Sequence, residues 1–294
     1  MPVRSWLFVP GDSEKKLGKA AATGADILIL DLEDSVAQEN KANARVMAGQ
    51  WLAAHRTSVT HGQRQGRWVR INALDTGEWR EDLRAVMPGG PDGIMLPKSA
   101  GPESVQQVAA EIYELEGRSG LAPNAVKILP LVSETAAAAL TIPAYAKATM
   151  PRLAGLTWGA EDLSAAIGAT RKRDADGRWT DVFRHARMQT LLTAHASGVM
   201  AIDTLHADFA DAKGLKRAAE EARSDGFAGM LAIHPAQVEV INAAFTPSEA
   251  ERAEARAIVE AFQSNPGVGT LQIDGKMIDM PHYKLALRVL GLEE

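Results

Sequence analysis

Eight short apolar runs recur along the chain, each followed by an alanine-rich, charged stretch. The runs are SWLFVP (5–10), ILILDLED (27–34), RWVRIN (67–72), GIMLPK (93–98), KILPLVSE (127–134), LAGLTWGAED (153–162), VMAIDTL (199–205) and GMLAIHP (229–235). Most are continuously apolar and do not alternate, the pattern of parallel strands covered on both sides. The segments between them, such as KANARVMAGQWLAAHR and GLKRAAEEARSDG, have helical periodicity, and several end in glycine. Eight strand-then-helix units predict a (β/α)8 TIM barrel over residues 1–246. A doubly wound open sheet is the competing topology, but it usually carries fewer strands and here lacks its glycine-rich first turn.

Residues 247–294 break the repeat. TPSEAERAEARAIVEAF reads as a capped helix, TLQIDGKMID as a hairpin-like piece, and HYKLALRVLGL as a short amphipathic helix. A barrel is complete without this C-terminal helical and hairpin extension, so the tail is expected to pack on a neighbouring subunit or cover a mouth.

Composition narrows the function. A formal charge of -5 argues against a nucleic-acid partner, which calls for a basic face. With no cysteine, disulfides, thiolate metal sites and a cysteine nucleophile are excluded. No apolar run approaches the ~20 residues of a membrane span. The first residues enter a strand at once, without an apolar signal core or a transit-type helix, which makes a cytoplasmic protein the expectation.

Polar residues collect where the apolar runs end, and in a barrel the carboxyl ends of the strands build the active-site face. Glu134 and Asp162 close the fifth and sixth runs, so neighbouring staves should bring both carboxylates together. Two hard oxygen ligands with open positions suit Mg²⁺. The plainer alternative is that Glu134 caps the next helix and Asp162 binds a backbone amide. Glu161 should point away on an extended backbone and is read as structural. Glu33 and Asp34, ending the second run, fit an outer shell that orients metal-bound waters and nearby cations, and Asp31 is read as structural. Arg70 sits in an otherwise apolar strand and needs an anion, which a salt bridge to the acidic strand ends would also supply. Asn72 assists it or shapes the turn. Arg4, Lys15, Lys16 and Lys98 are candidates for phosphate contacts, with a solvated surface role as the alternative, and His234 ends the eighth run at the mouth. No HExxH pattern supports a zinc hydrolase.

In order, RSWLFVPGD, ILDLEDSV, VRIN, GIMLPK, PLVSETAAA, WGAEDLSAAIG and LAIHPAQV resemble the motifs of the citrate lyase β-subunit and malyl-CoA lyase family, the HpcH/HpaI aldolases. The closing IDGKMIDMP resembles the tail of its malyl-CoA and citramalyl-CoA lyase branch. The chain departs from the family in PGDSEKK, where an Arg usually follows PG, and in Ser133, where Ile is usual. The resemblance implies a Mg²⁺-dependent carbon-carbon lyase that cleaves a β-hydroxyacyl-CoA to acetyl-CoA and a 2-keto acid. It implies Glu134 and Asp162 as metal ligands, with Glu134 also toward substrate, and Arg70 as the substrate ligand that stabilises the thioester enolate. It further implies Asp279 as the group that protonates the enolate carbon, delivered across a homotrimer or homohexamer. The rival functions are a malyl-CoA-type thioesterase, an aldolase of free pyruvate, and a non-catalytic acyl-CoA-binding subunit.

Overall fold

The computed structural model of the chain describes residues 3–292. In chain order its first unit contains β1 (Ser5–Pro10), α1 (Glu14–Ala20), β2 (Ile27–Asp31), α2 (Lys41–Ala54), a small hairpin of β3 (Val59–Thr60) and β4 (Gln63–Arg64), β5 (Gly66–Arg70) and α3 (Trp79–Val86). There follow β6 (Gly93–Leu96), α4 (Pro102–Arg118), β7 (Lys127–Pro130), α5 (Ala136–Thr141), β8 (Gly155–Thr157), α6 (Ala160–Ala166) and α7 (Asp181–Ala196). The unit ends with β9 (Met200–Asp203), α8 (Ala212–Asp225), β10 (Gly229–Ala232) and α9 (Pro235–Ala244). Its eight-stranded sheet runs β7-β6-β5-β2-β1-β10-β9-β8, and every pairing in it is parallel. Parallel bridges from Ile128 to Leu153 and from Leu131 to Thr157 join the two ends, so the sheet closes on itself as the eightfold repeat predicts. The fold is a (β/α)8 barrel.

Because alternate residues of a stave face inward, one set of side chains plugs the barrel. Ile27 and Ile29 of β2, Leu129 and Leu131 at β7, Ile202 and Leu231 belong to this core with Trp6 and Trp68. The two indoles meet edge to face at 5.0 Å between centroids. Trp68 needs an empty position on the next stave, and Gly93 is its register partner. A Cβ there would fall 2.4 Å from the Trp68 ring. Replacing such a buried indole by alanine costs about 3–5 kcal/mol.

The ladders stop short of the apolar runs. After Asp31 the chain turns off the sheet, because the Asp31 carboxylate accepts the backbone N–H of Glu33 at 3.0 Å and of Ser35 at 3.3 Å. An aspartate that captures the amides following it ends a strand in this way. Glu134 and Asp162 likewise stand beyond β7 and β8.

A second compact unit begins at Ala244 and holds α10 (Glu249–Ser264), β11 (Thr270–Ile273), β12 (Lys276–Asp279) and α11 (Met280–Leu290). Helix α10 opens with a capping box between Ser248 and Glu251, the sequence TPSEAE doing what its spacing suggests. Ala255, Val259 and Ala286 form the seam between α10 and α11, beside Phe262 and Tyr283 at 5.1 Å between ring centroids. The β11–β12 turn places Asp274 and Gly275 both in left-handed backbone, the geometry for which Asp-Gly is favoured in two-residue hairpins. Among the described residues no helix is long and apolar enough to cross a membrane.

Candidate active site

A cavity of about 680 Å³ opens where the staves of the barrel end, and Arg70, Asp31, Asp34, Glu134 and Asp162 line it. Arg70, the last residue of β5, lies beside Asp31, its register partner at the end of β2. Its Nε donates to Asp31 Oδ1 and its Nη2 to Asp31 Oδ2, both at 2.7 Å. Nη1 faces Glu33 Oε2 at 3.0 Å and Asp34 Oδ2 at 3.9 Å. The guanidinium also lies over the Phe8 ring, 4.7 Å from its centroid. Asp31 is therefore the main anchor of Arg70, and the salt bridge to the acidic strand ends is real. Arg70 is paired in this way and also lines the cavity.

The charge states follow from this packing. Burial alone would raise the Asp31 carboxyl, but Arg70 outweighs it and holds the group below the ordinary carboxylate range. Arg70 is buried too, a cost that the carboxylates of Asp31 and Glu33 reverse, so it is held firmly charged. Glu33 is raised by burial, which Arg70 and Lys98 only partly offset.

Lys98 does not reach for phosphates. Its Nζ bridges Glu33 Oε1 at 2.5 Å and Asp34 Oδ1 at 3.4 Å, and it is absent from the cavity lining. It also takes left-handed backbone, φ +50°, which aims its own N–H at Glu134 Oε2. A lysine in that conformation is uncommon and marks a position held by its surroundings. Arg4 is also removed from the phosphate candidates. It pairs with Asp26 at 2.9 Å, before the first residues of β1 and β2, at the opposite end of the barrel from the cavity. Lys15 and Lys16 do line the cavity, joined by Lys19, which the reading of the sequence missed although it lies one turn along the same helix. His234 lines the cavity as well, stacked on Phe209 at 5.0 Å between centroids.

Glu134 is buried, and burial together with the nearby carboxylates of Asp162 and Glu33 pushes it up to about 8, against the pull of the Lys98 N–H and Arg70. Thr135, not Glu134, caps α5 through its side chain. Gly159 makes room for Glu134, since a Cβ there would stand 3.0 Å from Glu134 Cγ. The unusual Ser133 has a role in the same place. Its buried hydroxyl accepts the Gly159 N–H at 3.1 Å and so ties the segment carrying Glu134 to the one carrying Asp162.

Asp162 does not end a strand but lies in the first turn of α6. Glu161 is set apart from it by about 100° of helix, not by the alternation of a strand; it pairs with Lys172 but lines the cavity too, contrary to the expectation that it points away. Asp162 makes no ion pair among the described residues, although its charge is felt at Glu134. Asn72 shapes the turn: its Nδ2 donates to Leu32 O at 3.0 Å and to buried Asp82 at 2.8 Å. Asp279 belongs to the second unit, where it is the N-cap of α11 beside His282. The first unit thus brings together Arg70, Glu33, Asp34, Glu134 and Asp162. Among the described residues no group of three or more His, Asp or Glu is disposed to hold a metal ion by itself.

An eight-stranded barrel with an anchored guanidinium and two converging carboxylates at its carboxyl-terminal mouth is a barrel enzyme's layout. The family model for HpcH/HpaI aldolase/citrate lyase matches residues 4–235, and the chain belongs to that family. It is 37% identical to a citrate lyase subunit beta-like protein of Mycobacterium tuberculosis over 97% of this chain and 95% of the relative. It is 34% identical to the mitochondrial citramalyl-CoA lyase of Rattus norvegicus, over 99% of this chain and 86% of that one. It is also 34% identical to a (3S)-malyl-CoA thioesterase of Cereibacter sphaeroides, over 100% and 95% of the two chains. A solved structure of CitE from Mycobacterium tuberculosis, in complex with magnesium, acetoacetate and coenzyme A, superposes with a TM-score of 0.76 at 35% identity. It covers 99% of this chain and 98% of that one.

Proposed function

We propose that this protein is a Mg²⁺-dependent carbon-carbon lyase that cleaves a β-hydroxyacyl-CoA of the citramalyl-CoA or malyl-CoA type to acetyl-CoA and a 2-keto acid. The observation that carries this reading is the charge around the mouth. Asp31, Glu33, Asp34, Glu134 and Asp162 gather there, while Arg70 and Lys98 are the cations in contact with the group. An excess of carboxylate in a partly buried site is a donor set for a divalent cation, and hard oxygen ligands favour Mg²⁺. Glu134 Oε2 is taken by the Lys98 N–H, whereas no donor among the described residues reaches Oε1. Glu134 and Asp162 are the residues that would hold the ion, with Glu33 and Asp34 behind them. When bound, Mg²⁺ supplies Lewis acidity and a template for the oxygens of the keto-acid half.

The rest of the chemistry belongs to the chain. Arg70 has three nitrogens committed to carboxylates behind it, and its remaining N–H groups are free to meet the thioester oxygen as the enolate forms. A donor fixed in advance in this way stabilises charge that appears only in the transition state. Lys15, Lys16 and Lys19 give the cavity wall positive charge suited to the phosphates of CoA. Asp279 is proposed, on the resemblance of the tail, to exchange the proton with the enolate carbon. The relatives named above that act on CoA thioesters, and the solved relative bound to magnesium and coenzyme A, support the same reading.

Incubation with Mg²⁺ and a panel of β-hydroxyacyl-CoAs, followed by mass spectrometry, tests it. Acetyl-CoA with a keto acid is the expected outcome. A second reading is favoured by the thioesterase relative, which matches the whole chain. Free CoA with intact malate or citramalate would establish that one instead.

A further inference from the structure

The N-cap of α11 departs from the usual capping box. The residue three positions into such a helix is ordinarily Glu or Gln, whose side chain accepts the N-cap amide. Here it is His282, with Nδ1 2.5 Å from Asp279 Oδ1 and 3.3 Å from the Asp279 backbone N. A ring nitrogen so close to a carboxylate oxygen carries the proton, because two facing lone pairs would repel. The shorter contact is thus a donation from the imidazole to Asp279, and the protonated Nδ1 has no lone pair left to accept the Asp279 amide 3.3 Å away. Both side chains keep access to solvent, His282 at 47% and Asp279 at 30% exposure, so burial is not what brings them together.

We infer that His282 is the positioning residue for Asp279, its ring N–H at Oδ1 adding to the backbone N–H of the same residue to set the direction in which the carboxylate meets the carbon acid. This rests on the reading of Asp279 as the group that exchanges a proton with the acetyl-CoA methyl carbon. In the condensing direction that step breaks a methyl C–H bond. The proton passes to a lone pair of an Asp279 carboxylate oxygen, and the electron pair moves into the enolate held by Arg70. In cleavage the same oxygen returns the proton to carbon. The imidazole contact also keeps Asp279 below its ordinary carboxylate value, which favours its ionised form. A histidine donor that orients a carboxylate acts through it and touches no substrate.

The step can be watched apart from carbon-carbon cleavage, as deuterium entering the acetyl-CoA methyl group in D₂O with the Mg²⁺-loaded enzyme. His282→Leu removes the ring donor, while His282→Asn keeps an N–H at nearly the same reach. The expected result is exchange about tenfold slower in His282→Leu, with an unchanged KM for acetyl-CoA, and recovery of most of the rate in His282→Asn. Asp279→Asn should lose roughly a hundredfold or more, the usual share of a general base. Wild-type exchange in His282→Leu, with Asp279→Asn inactive, would overturn the role of His282 alone. Equal loss in His282→Leu and His282→Asn, together with equal loss of melting temperature, would also overturn it and leave only a helix cap. Wild-type exchange in Asp279→Asn would overturn the reading of Asp279 and this inference with it.

Discussion

Arg70 grips Asp31 through two parallel bonds of 2.7 Å, from Nε and Nη2 to the two carboxylate oxygens. This fork fixes the plane of the guanidinium at the end of β5, where Nη1 turns to Glu33 and Arg70 lines the cavity. A bidentate pair of this kind adds geometry as well as energy.

Asp31→Asn should therefore damage both stability and turnover. The Asp31 side chain is 2% exposed and that of Arg70 12%. Removing one partner of a buried pair costs about 3 kcal/mol or more. Thermal melts and steady-state kinetics should show a clear fall in Tm and a loss in kcat exceeding that in KM. The pH dependence has a definite sign. The folded carboxyl is depressed relative to the unfolded chain, so its contribution is present above the ordinary value of 3.8 and disappears as pH falls through the lower folded value. In the Asn variant that acid-side loss should be smaller.

Arg70→Lys keeps the charge but not the planar fork, and one ammonium cannot hold Asp31 in bidentate fashion while also reaching the cavity. We expect turnover to drop roughly a hundredfold, the common cost of one preorganised oxyanion donor. Near-normal kcat/KM would show that Arg70 serves only the acidic strand ends.

Glu134→Gln should stabilise the metal-free protein. Glu134 is raised to about 8 in the folded state, from 4.5. Between these values the folded chain binds the extra proton, so its stability declines as pH rises through that window. The Gln variant has no such decline, and its Tm in EDTA should exceed that of wild type by a margin that widens toward pH 8. Added Mg²⁺ should raise the wild-type Tm and leave the variant unmoved. A wild-type Tm in EDTA that stays above that of the variant at every pH would contradict the strained carboxylate.

Glu134→Ala and Asp279→Ala should each be nearly inactive alone. If the tail of one chain serves the barrel of another, mixing the two with subunit exchange should restore activity at about a quarter of the sites of a cyclic oligomer. Exchange without recovery would assign Asp279 to its own barrel.

The barrel was legible because eight apolar runs and their helices leave few alternatives, and the nearness of Glu134 to Asp162 followed from their place in neighbouring strand-helix units. Three details were not. Asp31, Glu33 and Asp34 look alike in sequence, and only the parallel register, which sets Asp31 opposite Arg70, shows which one anchors the arginine. The direction of Lys98 depends on a left-handed backbone that a lysine does not advertise. The turn after β8 brings Asp162 onto a helix, a boundary that the continuous run LAGLTWGAED conceals.

The central claim is carbon-carbon cleavage dependent on a cation held by Glu134 and Asp162. Its most direct measurement is quantitative mass spectrometry of the products from malyl-CoA and citramalyl-CoA, with wild type in Mg²⁺, wild type in EDTA, and Glu134→Gln in Mg²⁺. The account predicts equimolar acetyl-CoA and keto acid from at least one thioester in the first sample, and neither product in the other two. Undiminished cleavage in EDTA or by Glu134→Gln, or the absence of acetyl-CoA from both thioesters in Mg²⁺, would contradict it.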